Sequence, residues 1–207
     1  MAVVDSSNHP GRRQARREAT KRTIMDAVER LLGDRPYADL RVEDVMAASG
    51  LTRTAFYRYF PDLESVLLAL LASVRTELAD AANRWLLLDT DPDGGILEAN
   101  TALARVWSRH WALLLAFSDA ATSGSRIQVA WHEMVESFLD PVERRFADLA
   151  RRGLTSLEYP AETARALVWM NERYLFETFA RNRDVSVEVA AATLAQTWRR
   201  VLFSAPG

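Results

Sequence analysis

The stretch Arg41–Leu71, RVEDVMAASGLTRTAFYRYFPDLESVLLALL, reads as two short helices around a tight turn, closed by a longer helix. Leu40, Val42, Val45 and Met46 fall on one side of the first helix, and Ala55, Phe56 and Tyr59 on one side of the second. Ser49-Gly50 breaks the chain between them. Gly50 can take the left-handed conformation that stops a helix and turns the chain, and Thr52 is then placed to cap the next one. Pro61 disfavours a helical conformation at Phe60, and Asp62 suits the cap of the helix carrying Val66, Leu67, Leu70, Leu71, Val74 and Leu78. With Ala55, Phe56 and Tyr59 inward, the helical period leaves Arg53, Thr54, Tyr57 and Arg58 outward. Such a face suits DNA: Arg binds guanine bidentately in the major groove, Thr meets a base or the thymine methyl, and Tyr and Arg hold phosphates. On composition alone, an ordinary solvated helix face is the alternative.

Gly50-Leu51-Thr52, Thr54-Ala55-Phe56-Tyr57-Arg58-Tyr59-Phe60 and Glu64-Ser65-Val66-Leu67 resemble the TetR family of transcriptional regulators. An upstream amphipathic helix with Ile24, Ala27, Val28, Leu31 and Leu32 stands where that family places its first helix, so the likeness spans residues 18–75. Further on, LVWMNERYLFETF at 167–179 is similar to the equivalent helix of one actinobacterial repressor in the family. The resemblance implies an all-α fold, with an N-terminal three-helix helix-turn-helix DNA-binding unit followed by a C-terminal helical ligand-binding and dimerisation bundle. It implies DNA contacts from Arg41, Thr52, Arg53, Thr54, Tyr57, Arg58 and Tyr59. Two positions depart from the family pattern. Leu63 stands where these proteins usually carry a Lys that contacts a phosphate, and Arg41 replaces the usual Ser or Thr at the start of the second helix. Arg41 gives up a cap and offers a positive charge near the DNA backbone. Losing one phosphate contact lowers the salt slope of binding by roughly one unit per protomer.

The charge is unevenly divided. Residues 1–60 hold 11 Lys or Arg against 8 Asp or Glu, and the rest of the 207 residues hold 15 against 20, so the positive balance sits with the helix-turn-helix. Pro10-Gly11 and Arg12, Arg13, Arg16 and Arg17 suggest a flexible basic arm over residues 1–17 that follows the DNA minor groove; a disordered solubilising tail is the alternative. A DNA-binding domain over 18–77 and an effector and dimerisation domain over 78–207 complete the expected organisation. There is no Cys, which excludes disulfides and thiolate metal sites. No run of residues approaches the roughly 20 apolar positions of a membrane span, and no secretory apolar region is visible, so the cytoplasm is the expected compartment and no membrane partner is expected.

Nearly half the residues are apolar, enough for a sizeable core, and the pattern after the helix-turn-helix is helical throughout. A helix from Asp62 to about Leu88 should link the two regions, followed by the loop DTDPDGG at 89–95. Further helices are expected from about Ile96 to Arg109, His110 to Phe117, Ser125 to Gly153, Ala161 to Asn182 and Val187 to Phe203. Pro141 should bend the third of these, because it removes a backbone donor and crowds the previous turn. The region is rich in aromatic rings. At helical spacing these usually fill a core, but the resemblance implies an effector pocket, which is expected to be mostly apolar with few polar groups. By the same resemblance, Trp107, Trp131, Phe138, Phe176 and Trp198 form its walls, with Tyr174 beside them. Asn171 shares a face with Leu167, Tyr174, Leu175 and Thr178, so its amide is at least partly buried. An unpaired buried amide costs about 1 to 3 kcal/mol, so it bonds either to neighbours or to a ligand.

Leu167, Leu175, Phe179, Val189, Leu194, Trp198, Val201 and Leu202 make the last two helices strongly apolar, and in the family such helices pair with a second copy. A homodimer would set two recognition helices about 34 to 36 Å apart and demand an inverted-repeat operator of double-stranded DNA. Packing within one chain is the alternative. An enzyme is the competing class. His9, His110 and His132 have no convincing partner set, and His132 with Glu136 offers only two metal ligands on one face. No G-x-S-x-G elbow, P-loop or G-x-G-x-x-G follows a strand pattern, and no cofactor or metal is expected. The sequence therefore reads as a cytoplasmic, dimeric, ligand-responsive repressor released from DNA by a lipophilic small molecule. The second reading is a helical small-molecule sensor without strong specific DNA binding.

Overall fold

The computed structural model describes residues 10–87, 91, 93–121, 125–182 and 184–203. Among these the chain is all-α, with ten α-helices and no strand. It divides into two compact units, Met1–Leu70 and Leu71–Gly207.

In the first unit α1 (Pro10–Leu32), α2 (Val42–Ser49), α3 (Arg53–Tyr59) and the first turns of α4 (Leu63–Leu86) close over one core. Its members are Ile24, Ala27, Val28 and Leu32 of α1, Val45 and Met46 of α2, Phe56 and Phe60 around α3, and Val66, Leu67 and Leu70 of α4. The α1 and α4 sets recur at three- and four-residue spacing, the apolar stripe a helix needs to pack. Gly50 ends α2 at φ 68°, in the left-handed region where glycine carries no Cβ penalty, and its N–H reaches the Met46 carbonyl. The Thr52 hydroxyl accepts the Ala55 N–H at 3.2 Å and starts α3, and the Asp62 carboxylate accepts the Ser65 N–H at 2.6 Å and starts α4. α2 is capped from the other side. An arginine side chain has no acceptor, so Asp44 reaches back to take the Arg41 N–H at 3.0 Å, the returning half of a capping box.

The expected flexible arm is different here. α1 is helical from Pro10, so Arg12, Arg13, Arg16 and Arg17 stand on a helix, while residues 1–9 of the expected arm lie outside the described residues. Arg, Gln, Ala and Glu are good helix formers, a proline is tolerated in a first turn, and Gln14 to Glu18 adds an i, i+4 hydrogen bond of 3.0 Å.

The second unit is a bundle of the remainder of α4 with α5 (Gly94–Arg109), α6 (Trp111–Ala120), α7 (Arg126–Glu136), α8 (Leu139–Arg151), α9 (Pro160–Phe176) and α10 (Val187–Phe203). A π-helical turn, Glu177–Asn182, continues α9. α10 packs chiefly on α5, and α8 on α9. Asp89, Thr90 and Pro92 of the expected loop lie outside the described residues. Pro141 does not bend a long helix, contrary to expectation. The chain breaks at Ser137-Phe138 and Pro141 occupies the first turn of α8, where its missing N–H has no intrahelical acceptor to lose. The apolar face expected to pair with a second copy is also mostly used within the chain. Leu167, Leu175, Phe179, Leu194, Trp198 and Leu202 are buried, while Val189 and Val201 are exposed. No helix among the described residues is long and apolar enough to cross a membrane.

Candidate functional site

Two regions collect the candidate residues, one in each unit. In the first, α3 presents Arg53, Thr54, Tyr57 and Arg58 to solvent, with Phe56 beneath them fully buried. Tyr59 is half-buried and Thr52 is engaged as the cap. Arg53 is held by its neighbours: it forms an ion pair with Glu43 of α2, donates through Nη2 to the Tyr57 hydroxyl at 3.4 Å, and lies 5.5 Å from the Tyr57 ring centre. A groove runs beside this face, lined by Arg13, Arg16 and Arg17 of α1 and by Thr52, Thr54 and Arg58. Helical order in α1 thus brings three arm arginines to the flank of the recognition helix, while Arg12 is exposed outside that lining. Arg41 is exposed at the start of α2, and Leu63 is half-buried in the first turn of α4. Nearby, burial raises the Tyr37 phenol above its ordinary range, reinforced by the negative charges of Glu64 and Asp62.

In the second unit α4, α5, α7, α8, α9 and α10 line a partly open apolar cavity of about 90 Å³. Of the candidate wall residues Trp107, Phe138, Asn171 and Trp198 line it; Trp131, Tyr174 and Phe176 do not. Trp131 stands behind the wall, its ring edge-on to Trp107 at 5.9 Å and to Phe176 at 6.5 Å. Tyr174 is half-buried on another part of α9. Trp85, absent from the expected walls, packs edge-on against Trp198 at 5.6 Å and against Phe146 at 6.1 Å, and closes one side.

Three polar side chains interrupt this lining: Asn100, Asn171 and Glu172. The two amides are chained. Trp198 Nε1 donates to Asn171 Oδ1 at 2.9 Å, Asn171 Nδ2 donates to Asn100 Oδ1 at 3.1 Å, and Asn100 Nδ2 donates to the Ile96 carbonyl at 2.9 Å. Asn171 is thus tied into the bundle through both ends of its amide. Glu172 is only 6% exposed, and burial raises its carboxyl above the ordinary carboxylate range, opposed by Arg173 and by a hydrogen bond from Trp131. Both missed residues left a trace in the sequence. Glu172 falls between Val168 and Leu175, and Asn100 between Ile96 and Leu103, each a polar residue inside an apolar stripe.

His132 and His110 line neither region, and His9 lies outside the described residues: His132 Nε2 is 3.2 Å from Glu136 and its ring lies 5.2 Å from Trp169, while His110 Nε2 is 3.2 Å from Glu77. Among the described residues no group of three His, Asp or Glu is arranged to hold a metal.

A short helix-turn-helix with an arginine-rich outer face and a helical bundle around an apolar cavity are the parts of a DNA-binding transcription regulator. Residues 24–70 match the bacterial regulatory proteins of the tetR family, and residues 96–204 match the C-terminal domain of the transcriptional regulator EthR. The chain is 32% identical over 204 residues to the HTH-type transcriptional regulator EthR of Mycobacterium tuberculosis, covering 95% of this chain and 94% of that protein. It is 30% identical over 157 residues to the HTH-type transcriptional repressor LfrR of Mycolicibacterium smegmatis, covering 74% of this chain and 75% of that protein. A TetR-family regulator structure from Syntrophomonas wolfei superposes with a TM-score of 0.73 at 16% identity, covering 88% of this chain and 94% of that one. The protein belongs to the TetR family of transcriptional regulators, in its EthR-like branch, and is a DNA-binding regulator rather than an enzyme.

Proposed function

We propose that the protein is a homodimeric repressor that binds an inverted-repeat operator and is released by a lipophilic small molecule. The observation that carries this reading is the pairing, in one chain, of an exposed α3 face flanked by α1 arginines with an apolar cavity. In this reading Arg53, Thr54, Tyr57 and Arg58 meet base edges and phosphates. Arg13, Arg16 and Arg17 extend the contact along the backbone, and Arg41 offsets the phosphate anchor missing at Leu63. The cavity supports effector binding by its chemistry, since an apolar lining broken by a few placed polar groups is what small-molecule sites present. A volume near 90 Å³ is below the several hundred Å³ of occupied sites, so ligand entry requires the walls to move. α4 supplies Leu78, Ala82, Trp85 and Leu86 to those walls and is one continuous helix back to Leu63. We place the functional boundary within it, at residues 77 and 78. The second copy would use the exposed side of α10, with Val189, Ala192, Thr193, Gln196 and Val201, and not the residues already buried within the chain.

The coupling is a population shift: a ligand that prefers the released state 100-fold weakens operator binding about 100-fold, near 2.7 kcal/mol, and no more. A gel-shift titration over the DNA flanking the protein's own gene tests the proposal. Specific retardation at moderate salt, relieved by an added lipophilic compound, supports it. Weak binding that vanishes uniformly with salt defeats it and leaves the small-molecule sensor.

A further inference from the structure

The helices around the cavity are not equally fastened. α5, α9 and α10 are cross-tied by the buried chain that runs from Trp198 through Asn171 and Asn100 to the Ile96 carbonyl. α4 is joined to α5 by the Arg84–Glu98 and Arg109–Glu77 ion pairs, each at 2.9 Å, and to α10 by Trp85 against Trp198. α8 packs along α9. α7 brings Met134 and Val135 to the lining but has no residue in the buried chain. Of its 11 residues only Ile127, Met134 and Val135 are buried, and Val129 is 51% exposed.

α7 also ends on a joint. Pro141 has no N–H to give the Ser137 carbonyl, so the hydrogen-bond ladder of α7 cannot run on into α8, and the chain breaks at Ser137-Phe138. Rotation there carries Met134 and Val135 away from the cavity and leaves the cross-tied helices in place. Trp131 opposes that rotation. Its indole donates to the buried Glu172 carboxylate of α9, and its ring lies 5.9 Å from those of Trp107 and Phe117. A further ring contact to α9, His132 on Trp169 at 5.2 Å, involves an imidazole that is 58% exposed. The Trp131 bond is the stronger restraint, since it is charge-assisted and its acceptor is removed from water.

We propose that α7 is the gate of the cavity: it swings about Ser137-Phe138, the Trp131–Glu172 hydrogen bond is its latch, and an effector enters while the latch is open. This rests on the reading of the cavity as an effector site. It makes Trp131, behind the wall, a positioning residue that governs ligand access without touching the ligand.

Two measurements on the full-length protein at neutral pH test the gate. Amide hydrogen exchange, read by mass spectrometry, reports opening in the free protein: residues 126–136 should exchange about tenfold or more faster than 164–176 and 190–202. Trp131→Phe keeps an aromatic ring and removes the donor. It should speed exchange in 126–136 about a further tenfold and leave 164–176 and 190–202 within about twofold, because a hydrogen bond to a charged group is worth about that factor or more. Stopped-flow binding of N-phenyl-1-naphthylamine, a neutral apolar fluorophore, reports entry. Its association rate constant scales with the open fraction, so the same variant should raise it about tenfold. Glu172→Gln keeps an acceptor without the charge, so it should move both readouts the same way by a smaller factor, and it carries the test if Trp131→Phe does not fold. Exchange in α7 as slow as in α9 and α10, or exchange raised in all helices alike, overturns the gate. An association rate unchanged in both variants while the probe binds also overturns it and leaves the effector cavity standing. Failure of the unsubstituted protein to bind the probe, with operator binding intact, overturns the cavity reading and the gate with it.

Discussion

If Arg53 reads DNA as proposed, its ion pair with Glu43 competes with that contact, and removing Glu43 should tighten operator binding. In the free protein the Arg53 guanidinium is paired with Glu43, and DNA must displace that carboxylate or accept it at the interface. The side chains are 65% and 59% exposed, so the pair is screened by solvent, and exposed pairs of this kind contribute about 0.2 to 1 kcal/mol. Glu43→Gln removes this competition and one negative charge beside the recognition helix, so affinity should rise up to about fivefold per half-site. Arg53 stays oriented after the change, because Tyr57 still accepts from Nη2 and underlies the guanidinium. Arg53→Ala is the counterpart: losing a base contact should cost about 1 to 3 kcal/mol and relax specificity at one position, whereas losing a phosphate contact should weaken all sequences alike. Fluorescence anisotropy with an operator duplex, between roughly 50 and 200 mM salt, measures both. If Glu43→Gln weakens binding, the competition argument is wrong and the pair instead holds Arg53 in its DNA-reading pose. If Arg53→Ala leaves affinity and specificity unchanged, α3 does not read DNA through this residue.

Three further outcomes are expected. Deleting residues 1–17 should lower operator affinity and reduce the salt slope by up to about 3 to 4 units per protomer, since four arginines are removed; an unchanged slope in the same anisotropy assay refutes a DNA role for this helical segment. Asn171→Leu strands the Trp198 indole N–H and the Asn100 carbonyl inside the bundle, so chemical denaturation should show a loss of about 2 to 4 kcal/mol, while loss of ligand binding at unchanged stability would return Asn171 to the role of ligand anchor. Glu172 has its carboxyl raised, so the folded protein binds more protons than the unfolded chain between the ordinary and the raised value. Stability falls as pH climbs through that window, and denaturation of Glu172→Gln at several pH values should lack that component of the slope.

The helix-turn-helix was legible because its determinants are local. Gly50 at φ 68°, Thr52 and Asp62 as caps, and the inward set around Phe56 each follow from neighbours within a few residues. Local signals also misled where a residue had two permitted uses. Pro141 was read as a bend because periodicity cannot tell a helix interior from a first turn, and the tertiary break at Ser137-Phe138 made it a first-turn proline. Charge and the Pro10-Gly11 pair suggest a flexible basic arm, although its Arg, Gln, Ala and Glu are also good helix formers and a proline is tolerated in a first turn.

The effector region was only half legible, because a cavity wall is assembled from many helices. Periodicity marks Trp131, Phe176 and Trp198 alike as inward, yet only the packing of α4, α5, α7 and α10 puts Trp198 on the wall and Trp131 behind it. By itself, the sequence determined the all-α class, the exposed polar face of α3 and the family, since helical period, caps and a contiguous motif are properties of neighbouring residues. Only the tertiary structure decided that Asn171 is bound to Asn100 and Trp198, that most of the apolar face of α10 is covered within the chain, and that Glu172 is buried in the bundle with its carboxyl raised. Those facts depend on which atoms meet across 27 or 71 residues of chain, and hydrogen-bond satisfaction and desolvation are set by such meetings, not by the residue types alone.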